Sequence, residues 1–170
     1  MAIKDPENAL IMETTKGKVV IELFPDLAPG HVGRIKELAR EGAYDGVVFH
    51  RVIDGFMAQT GDVQYGDLAD GYQAQAAGTG GSSQADLPAE FSNVPFERGT
   101  VGMARSQDPN SANSQFFIMF APGDFLNGQY TVVGKVVSGM ENVDKIKRGD
   151  DANNGSVTDP DRMVKVTVGK

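Results

Sequence analysis

The 170-residue chain contains no cysteine, which excludes a disulfide, a thiolate nucleophile and a cysteine metal site. It also lacks any apolar stretch of the length that crosses a membrane. The first ten residues show no basic segment followed by an apolar run, the pattern of a signal peptide. We therefore expect a cytoplasmic protein that makes no membrane contact.

Basic residues are few and scattered: 16 lysines and arginines stand against 23 acidic residues, giving a net charge of -7. A surface that binds nucleic acid needs clustered Lys and Arg, so this class of partner is excluded. Histidine is limited to His31 and His50, which leaves little for general acid-base catalysis. We expect His31 to be an exposed residue in the first turn of a helix.

Apolar alternation and turn residues predict eight strands and two short helices. The predicted strands are 8–15, 18–24, 47–53, 56–58, 99–105, 115–120, 130–137 and 161–168. One helix follows Pro29, and Ser138 with Glu141 forms a capping box for the other. Strands and helices do not alternate, so the fold class is mainly β: a closed eight-stranded antiparallel β-barrel, filled by side chains and capped by two α-helices. We expect one domain over residues 1–170; a two-sheet sandwich is the alternative.

The stretch from Val47 to Asp62 mixes an apolar hairpin with polar residues. It contains His50, Arg51 and Gln59, and Asp54-Gly55 predicts the turn. On one sheet face these residues would form an apolar surface with one fixed cation. The alternative is that Arg51 lies at a sheet edge and pairs with an acidic loop.

Other chemistries have weak sequence support. A calcium loop starting at Asp150 has Ala152 where a ligand oxygen is required, so a solvated turn is the better interpretation, and no metal or cofactor is expected. Residues 78–81 (Gly-Thr-Gly-Gly) lack the Lys-Ser or Lys-Thr pair of a phosphate-binding loop. The long polar segment 63–83 predicts a functional rim or a mobile insertion.

Rotation about an Xaa-Pro bond is a reaction that such an apolar surface with one fixed donor can accelerate. Its barrier, about 20 kcal/mol, arises from amide resonance, which places partial charge on the oxygen. A dry site disfavours that charge separation. A donor near the prolyl nitrogen draws its lone pair out of conjugation, and Arg51 can donate without losing its charge.

Four motifs then occur in order: Phe49–Ile53, Gly55–Asp62, Gly78–Gly81 and Ser114–Ile118. From about Asn8 to Val168, the chain resembles the cyclophilin-type peptidyl-prolyl isomerases, of a bacterial cytoplasmic kind. The resemblance implies an eight-stranded antiparallel barrel capped by two helices, and an isomerase that assists protein folding without a cofactor.

The resemblance also implies the roles of individual residues. Arg51 is the catalytic arginine. The substrate-binding residues are His50, Phe56, Met57, Gln59, Thr79, Ala104, Arg105, Gln115, Phe117, Phe125, Leu126 and Tyr130. Among these, Thr79 and the glycines beside it form the rim of a neighbouring pocket for residues that precede the proline.

This sequence departs from many eukaryotic members at several positions. Phe125 replaces a tryptophan, Tyr130 a histidine, and Arg105-Ser106 the more usual Asn-Ala. The expected partners are proline-containing peptides and unfolded or folding proteins, and we expect weak cyclosporin binding and a monomer. A binding module without useful turnover and a hollow small-ligand barrel remain competing hypotheses.

Overall fold

The computed structural model describes residues 6–67, 77–150, 155–157 and 160–169. It contains nine strands, β1 Ala9–Thr14, β2 Gly17–Leu23, β3 Val47–Val48, β4 Arg51–Ile53, β5 Met57–Thr60, β6 Thr100–Met103, β7 Phe116–Met119, β8 Val132–Ser138 and β9 Arg162–Val168. The helices are α1 Pro29–Arg40 and α2 Met140–Val143, with short 3-10 turns at Pro6–Asn8 and Asp124–Leu126. The prediction of a mainly β protein with two helices is confirmed.

The strands form one sheet in the order β3-β9-β1-β2-β8-β6-β7-β5-β4, and every pairing in it is antiparallel. The two edge strands, β3 and β4, are consecutive in the chain and are separated only by Phe49 and His50. The predicted closed barrel of eight strands is wrong in this detail, because the sheet has nine strands and two edges. A single strand was expected over residues 47–53, but β3 pairs with β9 while β4 pairs with β5, and the strand breaks where the partner changes.

The first helix agrees with its sequence signals. Pro29 lies in the first turn of α1, and Gly42, with a φ of 76°, follows its end. The second helix is shorter than expected and the capping box is wrong. Ser138 is the last residue of β8, and Gly139, with a φ of 86°, takes the N-cap position. A Cβ at Gly139 would collide with the carbonyl oxygen of Lys18, so this close approach of two backbone segments favours glycine at the start of α2.

Strand β7 shows how the sheet separates two apolar clusters. Phe116 and Ile118 contact the main core, whereas Phe117 and Met119 belong to a second cluster on the opposite face. All four side chains are buried, as predicted for a central strand that is apolar on both faces. The main core also contains fully buried side chains from β1, β2 and α1, so the described part of the chain supports a filled interior rather than a hollow ligand barrel.

His31 is buried, so its predicted exposure is wrong. Only 1% of its surface is accessible, and its Nε2 lies 2.8 Å from the carbonyl oxygen of Pro88. The backbone N–H of His31 also donates to Glu90 Oε1 at 2.9 Å. Burial lowers the pKa of His31, and the segment around Pro88 that covers the start of α1 has no local signal in the sequence. None of the described helices has both the length and the apolar character needed to traverse a bilayer.

Candidate active site

The β4-β5 hairpin places Arg51 beside an apolar surface. Arg51 lies opposite Gln59 in the ladder, and Gln59 lies opposite Phe117 of β7. Side chains that face each other across neighbouring strands share a sheet face. Met57, two residues before Gln59, points to that face as well. The hairpin thus sets one guanidinium at the margin of the second apolar cluster.

A cavity of about 730 Å³ opens above this face. It is lined by His50, Arg51, Phe56, Met57, Gln59, Ala77, Gly78, Thr79, Ala104, Arg105, Phe117, Leu126, Tyr130 and Ser156. Every binding or catalytic residue that the sequence predicted lines it except Gln115 and Phe125. This volume lies in the range typical of small-ligand and peptide side-chain sites.

Aromatic rings form the floor and one wall of the cavity. Phe117, 5% exposed, stacks on Phe96 with ring centroids 5.7 Å apart, and Tyr130 meets Phe117 edge-on at 5.8 Å. Met57 and Leu126 are buried beside them. The rings hold one another in place, so the apolar floor is preformed.

A directed chain of hydrogen bonds runs from Arg51 across the site. Arg51 Nη1 donates to Gln59 Oε1 at 3.1 Å, and Gln59 Nε2 donates to Gln115 Oε1 at 2.8 Å. Gln115 Nε2 then donates to the carbonyl oxygen of Gly80 at 2.9 Å. A guanidinium can only donate and a backbone carbonyl can only accept, so both ends impose the same direction on the two amides. This series of hydrogen bonds orients the guanidinium of Arg51 and accounts for the position of Gln115 behind the cavity wall.

A second cavity of about 590 Å³ adjoins the first. The two share Gln59, Gly78, Thr79, Ala104 and Arg105. Gln115 lines this second cavity. The resemblance predicted a neighbouring pocket whose rim contains Thr79, and the structure places a cavity at that position.

A buried carboxylate holds the glycine-rich segment that separates the cavities. Asp62 is fully buried, and its Oδ2 accepts the backbone N–H groups of Gly78 at 2.7 Å and Gly80 at 3.0 Å. Its Oδ1 accepts two further backbone N–H groups, from Gln64 and Tyr65. Backbone donors that converge on a carboxylate stabilise its charge. Asp62 was known from the sequence only as part of a motif, although an acid directly after a buried strand needs such partners.

His50 borders the same segment in a neutral form. It is 7% exposed, and neither ring nitrogen has a hydrogen-bond partner among the described residues. Burial lowers the pKa of His50 to about 4, against the opposing effect of the nearby Asp62 carboxylate. A Cβ at Gly78 would lie 3.2 Å from His50 Nε2, so the glycine lets the backbone pass over the ring. His50 therefore contributes a neutral wall to the cavity.

Arg51 is half-buried, and burial lowers its pKa. An arginine remains protonated in proteins at ordinary pH, so the guanidinium keeps its charge in partly desolvated surroundings. Its interactions are stronger there than in bulk water. Arg51 lies on β4, an edge strand of the sheet, as the alternative interpretation expected, and its side chain also lines the wall of the cavity.

Phe125 lies at the margin of the site rather than in it. Its side chain is 71% exposed, and its ring centroid lies 5.5 Å from that of Phe56. Two lining residues were missed by sequence reasoning: Ala77, and Ser156, which forms an isolated bridge with Arg51. Their segments come to the site through tertiary contacts that no local pattern encodes.

Part of the possible calcium loop, residues 151–154 and 158–159, lies outside the described residues. Its last position, Asp161, is already engaged: it accepts from Thr15 Oγ1 at 2.7 Å and from the Lys147 N–H at 2.7 Å, and lies 3.3 Å from Lys16 Nζ. Within the described ranges, no three His, Asp or Glu side chains group as metal ligands would. Of the long polar segment, residues 68–76 also lie outside those ranges.

Comparison with known proteins assigns the chain to a family. The family model described as "Cyclophilin type peptidyl-prolyl cis-trans isomerase/CLD" matches residues 9–168. The chain belongs to the cyclophilin family. A probable peptidyl-prolyl cis-trans isomerase of Brucella suis is 67% identical over 164 residues, covering 96% of this chain and 84% of that protein. Peptidyl-prolyl cis-trans isomerase B of Escherichia coli is 41% identical over 143 residues, covering 79% and 80%.

Solved cyclophilin structures share the fold. AquaCyp293 from Hirschia baltica superposes with a TM-score of 0.79 at 29% identity, covering 96% of this chain and 74% of that one. A Cryptosporidium parvum cyclophilin, crystallised in the presence of the dipeptide Ala-Pro, gives a TM-score of 0.80 at 25% identity, covering 95% and 99%. The present chain is a cyclophilin-type peptidyl-prolyl cis-trans isomerase.

Proposed function

We propose that isomerisation takes place in the cavity above Phe117, with Arg51 as the catalytic residue. The observation that supports this most directly is the position of Arg51: a charged, half-buried guanidinium, oriented by Gln59, beside a floor of buried aromatic and aliphatic side chains. The cavity combines the apolar surroundings and the fixed donor that rotation about a prolyl bond requires.

In this proposal the proline ring lies on Phe117, between Met57 and Leu126. The apolar walls exclude water from the prolyl amide and disfavour its charge-separated, planar form. As the bond twists, the prolyl nitrogen becomes pyramidal and gains a lone pair, and Arg51 donates a hydrogen bond to it. This bond forms only in the twisted state, so it lowers the barrier without stabilising the planar substrate equally.

The substrates we propose are proline-containing segments of unfolded and folding proteins. The cyclophilin from Cryptosporidium parvum was crystallised in the presence of the dipeptide Ala-Pro, which supports proline-containing peptides as the substrate class. The second cavity, reached past Thr79, would take side chains that precede the proline. Because both cavities open at the surface, a flexible polypeptide can enter them without a change in fold.

We further propose that the chain acts as a single domain and a monomer, in the cytoplasm, as a folding assistant that needs no metal or cofactor. The mechanism above involves no proton transfer, redox change or Lewis acid. Cyclosporin would bind at the same cavity, weakly, since Phe125 has no N–H donor.

A protease-coupled assay of cis-to-trans conversion in a short Xaa-Pro peptide tests this function. We expect Arg51→Ala to remove most of the activity while the protein stays folded, and Arg51→Lys to restore little, since an ammonium lacks the planar fork. Arg40→Ala, at the exposed end of α1, is the matched control and should leave the rate unchanged. Wild-type rates in Arg51→Ala, with an unchanged thermal melt, would refute the mechanism.

A further inference from the structure

Arg105 lies where the two cavities meet, and it lines both of them. It follows the end of β6, and the N–H of the preceding residue, Ala104, donates to the Gln115 carbonyl at 3.0 Å. The backbone at this position is therefore tied to the residue that precedes β7, the strand that supplies Phe117. The Arg105 side chain belongs to the wall that a peptide crossing from one cavity to the other would pass.

The guanidinium of Arg105 is held in one place. Nε and Nη2 donate to the Gln129 carbonyl at 3.1 and 2.7 Å, and Nη1 donates to the Ser106 carbonyl at 2.8 Å. Its Cζ also lies 4.4 Å from the centroid of the Tyr130 ring. Several fixed contacts to carbonyl oxygens and an aromatic face reduce the freedom that the side chain would lose on binding a ligand.

The charge of Arg105 is not balanced by a neighbouring carboxylate. Elsewhere, Arg98 pairs with Asp144 at 2.6 Å and Arg148 with Asp54 at 3.0 Å, but no acid among the described residues lies within ion-pair distance of Arg105. Carbonyl oxygens accept its hydrogen bonds without cancelling its charge. One of the two Nη2 hydrogens has no acceptor in the described part of the chain.

The residues that line the two cavities carry few negative charges. Asp86 is the one carboxylate among the lining residues that the structure describes, and its Oδ1 accepts from Asn113 Nδ2 at 3.1 Å. Asp62 lies behind the glycine-rich segment, where four backbone N–H groups converge on it. Arg51 and Arg105 outnumber the single carboxylate among the described lining residues, so this part of the wall is positive on a protein with net charge -7. Such a region attracts anionic groups and repels cationic ones.

We propose that Arg105 makes this enzyme prefer proline segments that carry an aspartate or glutamate side chain at one of the two positions before the proline. The inference rests on the proposed function in taking the two cavities as the peptide site. A carboxylate there reaches the unused Nη2 hydrogen and the uncompensated charge. Because the pair stays in contact with solvent, the effect is moderate and is weakened by salt.

The test compares peptides that differ only in charge at those positions. Six peptides are compared: each carries Glu, Gln or Lys, either directly before the proline or one residue earlier. Exchange NMR measures their isomerisation without a coupling protease. For wild type we expect kcat/KM to be about three- to tenfold higher for Glu than for Gln at the responsive position, and lower for Lys than for Gln. High salt should reduce these ratios towards one.

Three variants assign the preference to Arg105. The Glu-to-Gln ratio should fall to about one in Arg105→Gln and be partly kept in Arg105→Lys, which retains the charge. Arg40→Gln changes the net charge equally, far from the cavities, and should keep the wild-type ratio. A wild-type ratio of one at both positions, or an unchanged ratio in Arg105→Gln, would overturn the inference.

Binding of the same peptides, measured by calorimetry, separates this inference from the proposed function. If wild type binds the Glu peptides more tightly but isomerises none of the peptides, then the catalytic assignment fails and the charge preference stands. If all peptides are isomerised with equal kcat/KM and bound with equal affinity, the proposed function stands and the preference is wrong.

Discussion

The side-chain amide of Gln59 donates to the side-chain oxygen of Gln115 at 2.8 Å. Gln59 lines both cavities, and Gln115 lines the second. Gln59 orients Arg51 on one side, and Gln115 donates to the Gly80 carbonyl on the other. A change in either amide therefore affects both the catalytic arginine and the glycine-rich segment.

A double-mutant cycle of Gln59→Leu and Gln115→Leu measures this coupling. Each single variant leaves a buried or partly buried polar group without its partner, so we expect a loss of about tenfold in kcat/KM. The double variant should lose less than the product of the two single losses, with a coupling free energy of about 0.5–1.5 kcal/mol. Strictly multiplicative losses would show that the two amides act independently.

Asp62→Asn tests the anchoring of the glycine-rich segment. An asparagine side chain has one acceptor oxygen and no charge, whereas the aspartate accepts four backbone N–H groups. We expect a loss of about 1.5–3 kcal/mol in the free energy of unfolding. KM should rise more for peptides with several residues before the proline than for a dipeptide. The exposed Asp26→Asn is the matched control; an equal effect on both substrates would place Asp62 outside substrate positioning.

Stability should fall on acidification because of His50. Its pKa is about 4 in the folded protein, below the ordinary value of 6.5, so the unfolded chain binds the proton more readily. The contribution of the neutral His50 to the free energy of unfolding is complete above pH 6.5. It is lost progressively as the pH falls towards about 4, and the total loss is about 3 kcal/mol. Urea unfolding between these pH values measures it.

Two variants divide that pH dependence between the histidines. The pKa of His31 is also lowered by burial, so it contributes with the same sign. His50→Gln and His31→Gln should each flatten part of the profile, and His50→Gln the larger part. An unchanged profile in His50→Gln would contradict the buried neutral imidazole.

The rate of isomerisation should vary little from about pH 6 to 8, since neither the neutral His50 nor Arg51 changes its charge in this interval. Rates measured across the interval in the protease-free NMR assay check this directly. A bell-shaped profile with a limb near the usual histidine pKa would show that a proton transfer takes part. Treatment with a chelator should leave the rate unchanged.

Phe125→Trp should tighten cyclosporin binding. The indole N–H supplies a hydrogen bond that phenylalanine cannot make, and we expect the natural chain to bind about ten- to a hundredfold more weakly than a relative with tryptophan. The variant tryptophan would be the only one in the chain, and its emission should shift on titration, since the ring lies beside Phe56 of the cavity. Equal affinity and unchanged emission would place residue 125 away from the bound inhibitor.

Much of the site could be predicted because its residues lie on strongly patterned strands. The hairpin turn at Asp54-Gly55 fixes the pairing of Arg51 with Gln59, and the alternation in β7 sends Phe117 to the same face. The motifs that resemble the family supplied the residues from the loops.

The rest depends on long-range contacts. His31 is buried because the segment around Pro88, 57 residues away, covers it. Gly139 replaces Ser138 as the cap of α2 because the backbone of Lys18 lies against it. Asp62 acts through N–H groups up to 18 residues away, and no local propensity signals such a partnership.

The position of β9 between β3 and β1 affects the order in which parts of the molecule can fold. Val47 pairs with Met163, so the strand that leads into Arg51 finds its neighbour more than a hundred residues further along the chain. Contacts of such large sequence separation form late and slow folding. During synthesis, β3 would therefore stay without its sheet partner until β9 has left the ribosome, although β4, which carries Arg51, can already pair with β5. A nonsense mutation between residues 157 and 162 should therefore give a product with lowered isomerase activity in the peptide assay, although it contains every described residue that lines the first cavity.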